Sequence, residues 1–327
     1  MPTDKSEIKW YHGFAKAAKK LPDYMLAVFS LIIVGGLWLV PGSTIQPSKV
    51  YLKLTSSAVS FTLVETTMLG DGCDLDKSTV CVKQLDSLSF RPLGSVAVSS
   101  KYGEAWAQVN QSTSILEEIR IDSGNTVLIM QSGGLTTIST RGGDVRGRIG
   151  VNGSGQIEVG SGAFEPDTIH SFSLVGPEDL EFWASGTELG GLVFLAKFQE
   201  AFELSGVRIK NLEFTRPDLS DQDLVLLESS IEQGTLTLPE ISKSVDIIKG
   251  EILSLHISEG LLVGLQVSEM IELYFVGTAD QIKLGPKGYD HELTPSLLEF
   301  VYYREKWILL FSAIMFVFGT LRSIKKP

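Results

Sequence analysis

Cys73 and Cys81 are the only cysteines in the chain, and Asp74 and Asp76 lie between them just after Asp71. An isolated pair in an oxidising compartment normally forms a disulfide. Closing a loop of this size would contribute about 2–3 kcal/mol through the entropy of the unfolded chain. The spacing is too wide for a Cys-x-x-Cys redox pair, and no second pair or nearby histidine completes a zinc site. Asp71, Asp74 and Asp76 offer oxygen ligands for calcium, but the segment lacks the glycine and distal glutamate of an EF-hand loop.

The four histidines, His12, His170, His256 and His291, have no metal-ligand spacing. His256 falls between Leu255 and Ile257 in an alternating run, which turns its ring away from the apolar face. His291 sits in a polar turn with Asp290 and Glu292, where it reads as a solvated side chain and only secondarily as a base or minor ion site. No nucleophile elbow, His-Glu-x-x-His zinc motif, Walker loop or dinucleotide fingerprint occurs. The sequence therefore specifies no catalytic, cofactor-binding or metal site, and no cofactor. Arg141, Arg146 and Arg148 form the one basic cluster in the central region; it reads as solvated charge on a sheet face, with anion binding as the alternative.

Net charge is −11, but it is unevenly placed: residues 1–23 and 322–327 hold eight of the 28 basic residues and three of the 39 acidic ones, leaving −16 for the remainder. An acidic domain of this kind repels nucleic acid, so no nucleic-acid partner is expected. The terminal regions explain the division. Tyr24–Val40 is 17 uncharged residues, about 26 Å of helix, and Trp307–Leu321 is 15, about 22 Å, against a hydrocarbon core of about 30 Å. Lys16, Lys19 and Lys20 precede the first stretch, and Arg322, Lys325 and Lys326 follow the second. The positive-inside rule then places both termini in the cytoplasm and the central region outside. Tyr302, Tyr303 and Trp307 stand at interfacial depth, and Trp10, Tyr11 and Phe14 alternate with lysines as an amphipathic helix on the inner leaflet would require. Neither stretch contains an ionisable residue, which argues against a proton or ion path through them.

The organisation that follows is a basic amphipathic segment over 1–23, a transmembrane helix over 24–40, a linker over 41–48, a β-rich extracytoplasmic domain over 49–293, a juxtamembrane helix over 294–306, a second transmembrane helix over 307–321 and a basic tail over 322–327. Thr294-Pro295-Ser296 followed by Glu299 supplies a first-turn proline and a Ser-x-x-Glu capping box for the late helix.

Within 49–293, period-two patterning predicts strands at Val50–Leu54, Val59–Val64, Ser95–Val98, Ala105–Val109, Ile119–Asp122, Thr126–Met130, Leu135–Ser139 and Val145–Val151. It continues at Gln156–Val159, Phe172–Val175, Val207–Phe214, Thr235–Leu238, Ile247–His256, Leu261–Val267 and Glu272–Val276. Short helices are expected at Leu195–Glu203 and near Leu224. The glycine-rich segment 132–162 holds ten glycines in 31 residues, and Asn152-Gly153 is a hairpin signal of the type I′ kind. The expected fold is all-β, a large antiparallel sandwich or jelly roll in one or two β lobes, flanked by the two transmembrane helices.

Anchored ends, a large outer domain and no reaction motif point to a non-enzymatic, membrane-anchored scaffold subunit of an envelope complex. Its partners would be the lipid bilayer and other proteins or further copies of itself. A lipid or glycolipid carrier is the alternative, since a jelly roll can open an apolar groove between its sheets; an envelope hydrolase or glycan-processing enzyme comes third. The expected location is the bacterial inner membrane with a periplasmic domain, or else the endoplasmic reticulum membrane with a lumenal one.

Overall fold

The computed structural model describes residues 47–70, 72–76, 80–91, 105–110, 113–161, 169–185, 191–218, 226–286 and 291–296, together with 299, 303 and 313. Gln46–Pro239 and Lys243–Thr294 form one compact β unit. The chain is all-β there because its apolar residues alternate. In β1 (Ser48–Ser56), Val50, Leu52 and Leu54 are buried, while Lys49, Tyr51 and Lys53 face out.

Two antiparallel sheets carry the architecture. The larger has 16 strands. Its path starts at β13 (Ile169–Val175), β12 (Ser154–Ser161), β7 (Ala105–Asn110), β5 (Val80–Leu85), β15 (Val193–Ala196), β10 (Leu135–Arg141) and β9 (Thr126–Ser132). It continues through β2 (Ala58–Leu63), β17 (Val207–Glu213), β22 (Ile252–Val267), β23 (Ile271–Gly285), β1, β20 (Ile231–Leu238) and β21 (Lys243–Ile248). Two short strands join off this path, β16 (Phe202–Leu204) on β22 and β24 (His291–Glu292) on β23. The smaller sheet runs β3 (Thr67–Leu69), β8 (Thr113–Ile121), β11 (Val145–Asn152), β14 (Glu178–Ala184) and β6 (Ser87–Arg91), with β4 (Cys73–Leu75) also on β8. A separate ribbon pairs β18 (Thr215–Asp218) with β19 (Leu226–Ser229). The result is a sandwich-like all-β fold whose main sheet extends well beyond the smaller one.

The core is built from the inward residues of these strands, including Phe61, Phe194, Phe202, Phe214 and Phe275, each almost fully buried. Each such ring contributes about 1.5–3 kcal/mol relative to an exposed one. One link between the sheets is made of backbone: Leu75 of β4 bridges Phe198, the Asp76 N–H donates to the Lys197 carbonyl at 2.7 Å, and the Gln199 N–H donates to the Asp74 carbonyl at 3.0 Å. Phe198 in turn stacks on Phe202 with ring centroids 5.4 Å apart.

Several expectations change. Leu195–Glu203 is not a helix: its start completes β15, Phe198 forms the bridge and Phe202 opens β16. Pairing with β10 and β5 overrides the helical spacing there, a tertiary effect invisible to propensity. Ile247–His256 is not one strand, because the chain turns at Lys249-Gly250, where Gly250 has φ +89°. Leu261–Val267 belongs to a single 16-residue strand, β22. Asn152-Gly153 closes no hairpin; it carries the chain from β11 in the smaller sheet to β12 in the larger. The two-residue turn with positive φ at both positions is instead Gly133-Gly134 (59° and 80°), which joins β9 to β10 with Ser132 opposite Leu135. The predicted strand at Ser95–Val98, the helix near Leu224 and residues 1–46 lie outside the described residues.

Past the β unit, the Ser-x-x-Glu box is formed. The Glu299 carboxylate accepts the Ser296 N–H at 3.0 Å, and the Glu299 N–H donates to Ser296 Oγ at 3.2 Å. Glu299, Tyr303 and Ala313 have helical conformation. Among the described residues no helix is long and apolar enough to cross a membrane.

Candidate functional site

No Cys73–Cys81 disulfide is seen in the structure. Cys73 is held in the smaller sheet opposite Leu116, whereas Cys81 is held in the larger one between Gln108 and Leu195. Each ladder fixes the position of its own cysteine. Burial pushes the Cys81 thiol above its ordinary pKa, and nearby Lys83 offsets this in part. That environment favours an inert structural thiol over a nucleophile. Asp74 is exposed and Asp76 pairs with Lys197 at 2.7 Å. Among the described residues no three His, Cys, Asp or Glu side chains gather to hold a metal.

The membrane-interface residues Trp10, Tyr11, Phe14, Lys16, Lys19, Lys20, Tyr302, Trp307, Arg322, Lys325 and Lys326 lie outside the described residues; Tyr303 is exposed. His170, His256 and His291 are exposed on three different strands. His256 points outward between buried Leu255 and Ile257, as the alternation requires.

The structure brings the basic cluster into a specific setting. Arg146 and Arg148 project from the outer face of β11, with β14 and β6 to one side and β8 to the other. Register places Ser87, Trp183, Arg146 and Arg120 in one row across the four strands. Ser89, Glu181, Arg148 and Glu118 form the next. A bulge opposite Arg148 adds Glu117 to the second row, where it ion-pairs with Arg148. The first row is therefore cationic and the second anionic. Between them lies a groove of about 320 Å³. Its floor includes Gly147, whose missing side chain makes room for the buried Phe182 ring beneath. Arg146 forms no ion pair among the described residues, while Arg120 reaches Asp122 only at 3.9 Å. The Trp183 indole N–H is buried without an acceptor. Arg141, at the end of β10, does not line this groove.

A second surface was not foreseen. On the outer face of the three adjacent strands β1, β23 and β22, Tyr51, Val276 and Leu261 stand directly opposite one another. Val263 and Tyr274 extend the row, and the five side chains are 39–47% exposed. Lys53 lies over the Tyr274 ring, 5.1 Å from its centroid. Single exposed apolar residues are ordinary, but a contiguous row on the longest strands is a binding-surface signature. The signal was present as apolar residues at both parities of one strand, which a half-buried sheet does not need.

No protein-family model, curated protein or solved structure matches the chain.

Proposed function

We propose that the chain is a non-catalytic subunit of an envelope membrane complex, displaying its β-domain outside a bacterial inner membrane and docking a protein partner on it. The observation that carries this reading is the row Tyr51, Val276, Leu261, Val263 and Tyr274. Cross-strand pairing of these groups contributes only about 0.2–1 kcal/mol per pair to the sheet, and it leaves their exposed apolar area uncovered. Covering the exposed two-fifths of Leu261 and Val276 with a partner would contribute about 1 kcal/mol each, and the two tyrosines supply the rigid amphipathic area common at interface centres. The apolar stretches at residues 24–40 and 307–321, with their basic flanks, support the membrane setting.

The test is the native mass of the full-length protein purified from its own membrane, wild type against Leu261→Glu/Val276→Glu, with both melting temperatures measured. The reading expects a second protein in fixed stoichiometry with the wild type and its loss from a variant that still folds. Retention of that protein by the folded variant removes the docking face. A wild-type chain that purifies alone, or with lipid in place of protein, removes the subunit reading.

A further inference from the structure

We propose that β13, the strand at one end of the larger sheet, pairs with β13 of a second copy of this chain, antiparallel about a two-fold axis through Phe172. No described strand lies beyond β13 on its open side. Such an edge is a row of backbone donors and acceptors that templates another strand, and folds usually blunt it with charge, proline or brevity. The opposite edge of the same sheet, β21, is blunted: Lys243 and Asp246 both stand exposed on it. β13 has none of these devices, since its seven residues, Ile-His-Ser-Phe-Ser-Leu-Val, include no Lys, Arg, Asp, Glu, Pro or Gly. It also lies at the far end of the sheet from β1, β22 and β23, so this contact leaves the apolar face assigned to a protein partner open.

The side chains of β13 are complementary to themselves. Ile157 and Val159 of β12 are buried and stand opposite Phe172 and His170, which puts His170, Phe172 and Leu174 on the inner face and Ile169, Ser171, Ser173 and Val175 on the outer. Ile169 is 49% exposed, and Val175, at 85%, is the most exposed large apolar side chain among the described residues. A two-fold axis perpendicular to the sheet keeps each face on its own side, so it sets opposite one another only residues of the same parity. The register centred on Phe172 pairs all seven residues and places Ile169 of each copy directly opposite Val175 of the other. Ser171 then meets Ser173, His170 meets Leu174, and no like charges meet. The apolar strip begins within one chain: the Trp106 ring lies over Gly160, where an added Cβ would be 2.5 Å from it, and Ile169 is the cross-strand neighbour of Gly160 on the other side. Val175 of the second copy continues that strip. A strand of an unrelated protein could supply the backbone bonds, but nothing in β13 selects it, whereas the two-fold register answers both exposed apolar residues with each other. The contact is isologous, so it closes at a dimer instead of propagating.

The experiment is the polypeptide mass of the full-length protein, produced alone and held in detergent, measured by light scattering over a dilution series. The wild type is expected as a dimer that dissociates on dilution. Ile169→Lys/Val175→Lys sets like charges against each other at both ends of the paired strands and should raise the dissociation constant by about tenfold or more. Ile169→Lys/Val175→Glu sets opposite charges at the same two places and should stay dimeric; within one chain the two positions are roughly 20 Å apart, too far to pair with each other. Both residues are exposed, and melting temperatures establish that each variant folds. A wild type with the mass of one chain at every concentration overturns the dimer. A folded double-lysine variant that is as dimeric as the wild type overturns the β13 edge, and loss of the dimer from both folded variants overturns the register.

Discussion

Gly277→Ala should destabilise the β-domain out of proportion to one added methyl group. Gly260 and Gly277 face each other across β22 and β23, and the Phe275 ring, about 1% exposed, lies over both. A Cβ on Gly277 would sit 2.5 Å from Phe275 Cζ, 2.6 Å from the Glu259 carbonyl oxygen and 3.0 Å from Gly260 Cα. Two of those three atoms are backbone and cannot escape by a rotamer change. Overpacking of this kind costs about 1–3 kcal/mol, and rigid neighbours place Gly277→Ala near the top of that range. Removing a strand glycine returns about 0.5–1 kcal/mol of unfolded-state entropy, so the net loss is about 2 kcal/mol. In a domain of this size that lowers the melting temperature by roughly 4–8 °C, read by circular dichroism on the full-length protein. Gly264→Ala is the internal control: its nearest neighbour is Tyr274 Cδ2 at 3.9 Å, so the same methyl should be neutral or slightly stabilising. Adding Phe275→Leu to Gly277→Ala should cost less than the sum of the two single changes, because the smaller side chain relieves part of the clash. A Gly277→Ala protein that melts with the wild type, or a Gly264→Ala protein that loses as much, would refute the packing argument.

Asn125 is fully buried, its side-chain N–H₂ donating to the Asp122 carbonyl at 2.9 Å and its Oδ1 accepting the Gly143 N–H at 2.8 Å; Asn125→Ala should cost about 1–3 kcal/mol, chiefly by leaving the Gly143 N–H without its acceptor, measurable by urea denaturation. Cys73 and Cys81 should both alkylate in unfolded protein without reductant, and linked peptides in a non-reducing digest would contradict the thiol assignment. Because burial raises the folded Cys81 pKa, its stabilisation is complete below the ordinary thiol value and is lost as pH rises through the raised one, so Cys81→Ala should abolish that alkaline component of the stability profile.

Strand existence was legible in β1, β7 and β11, where the period of two records a buried and a wetter face at once; β14 alternates as regularly and was missed, and β15 was read as the start of a helix. Partnership was not legible. Asn152-Gly153 and Gly133-Gly134 are equally good turn sequences, yet one passes between sheets and the other closes a hairpin; the difference lies in which distant strands receive the chain afterwards. Phe198 and Phe202 have helical spacing, but the bridge to Leu75 claims the segment for the sheets. The site was half visible. Arg146 and Arg148 stood out as a basic pair, whereas Trp183, Glu181 and Ser87 reach them only through the β14 and β6 registers, which no local pattern encodes. The sheets that receive Cys73 and Cys81 were hidden for the same reason, since nearness in sequence did not make them neighbours in one sheet.

The position of β1 has a temporal consequence. Formed from residues 48–56, it hydrogen-bonds on one side to β20 and on the other to β23, which ends at Gly285. Chains emerge at about 5–20 residues per second, so this first strand must wait roughly ten seconds or more for both of its neighbours to exist. During that interval Val50, Leu52 and Leu54 have no native cover. Early folding could complete the β8, β11 and β14 portion of the smaller sheet, but the larger sheet can close only when nearly the entire domain has been delivered. A domain wired this way depends on whatever holds its leading strand unpaired and unaggregated until the last long hairpin arrives.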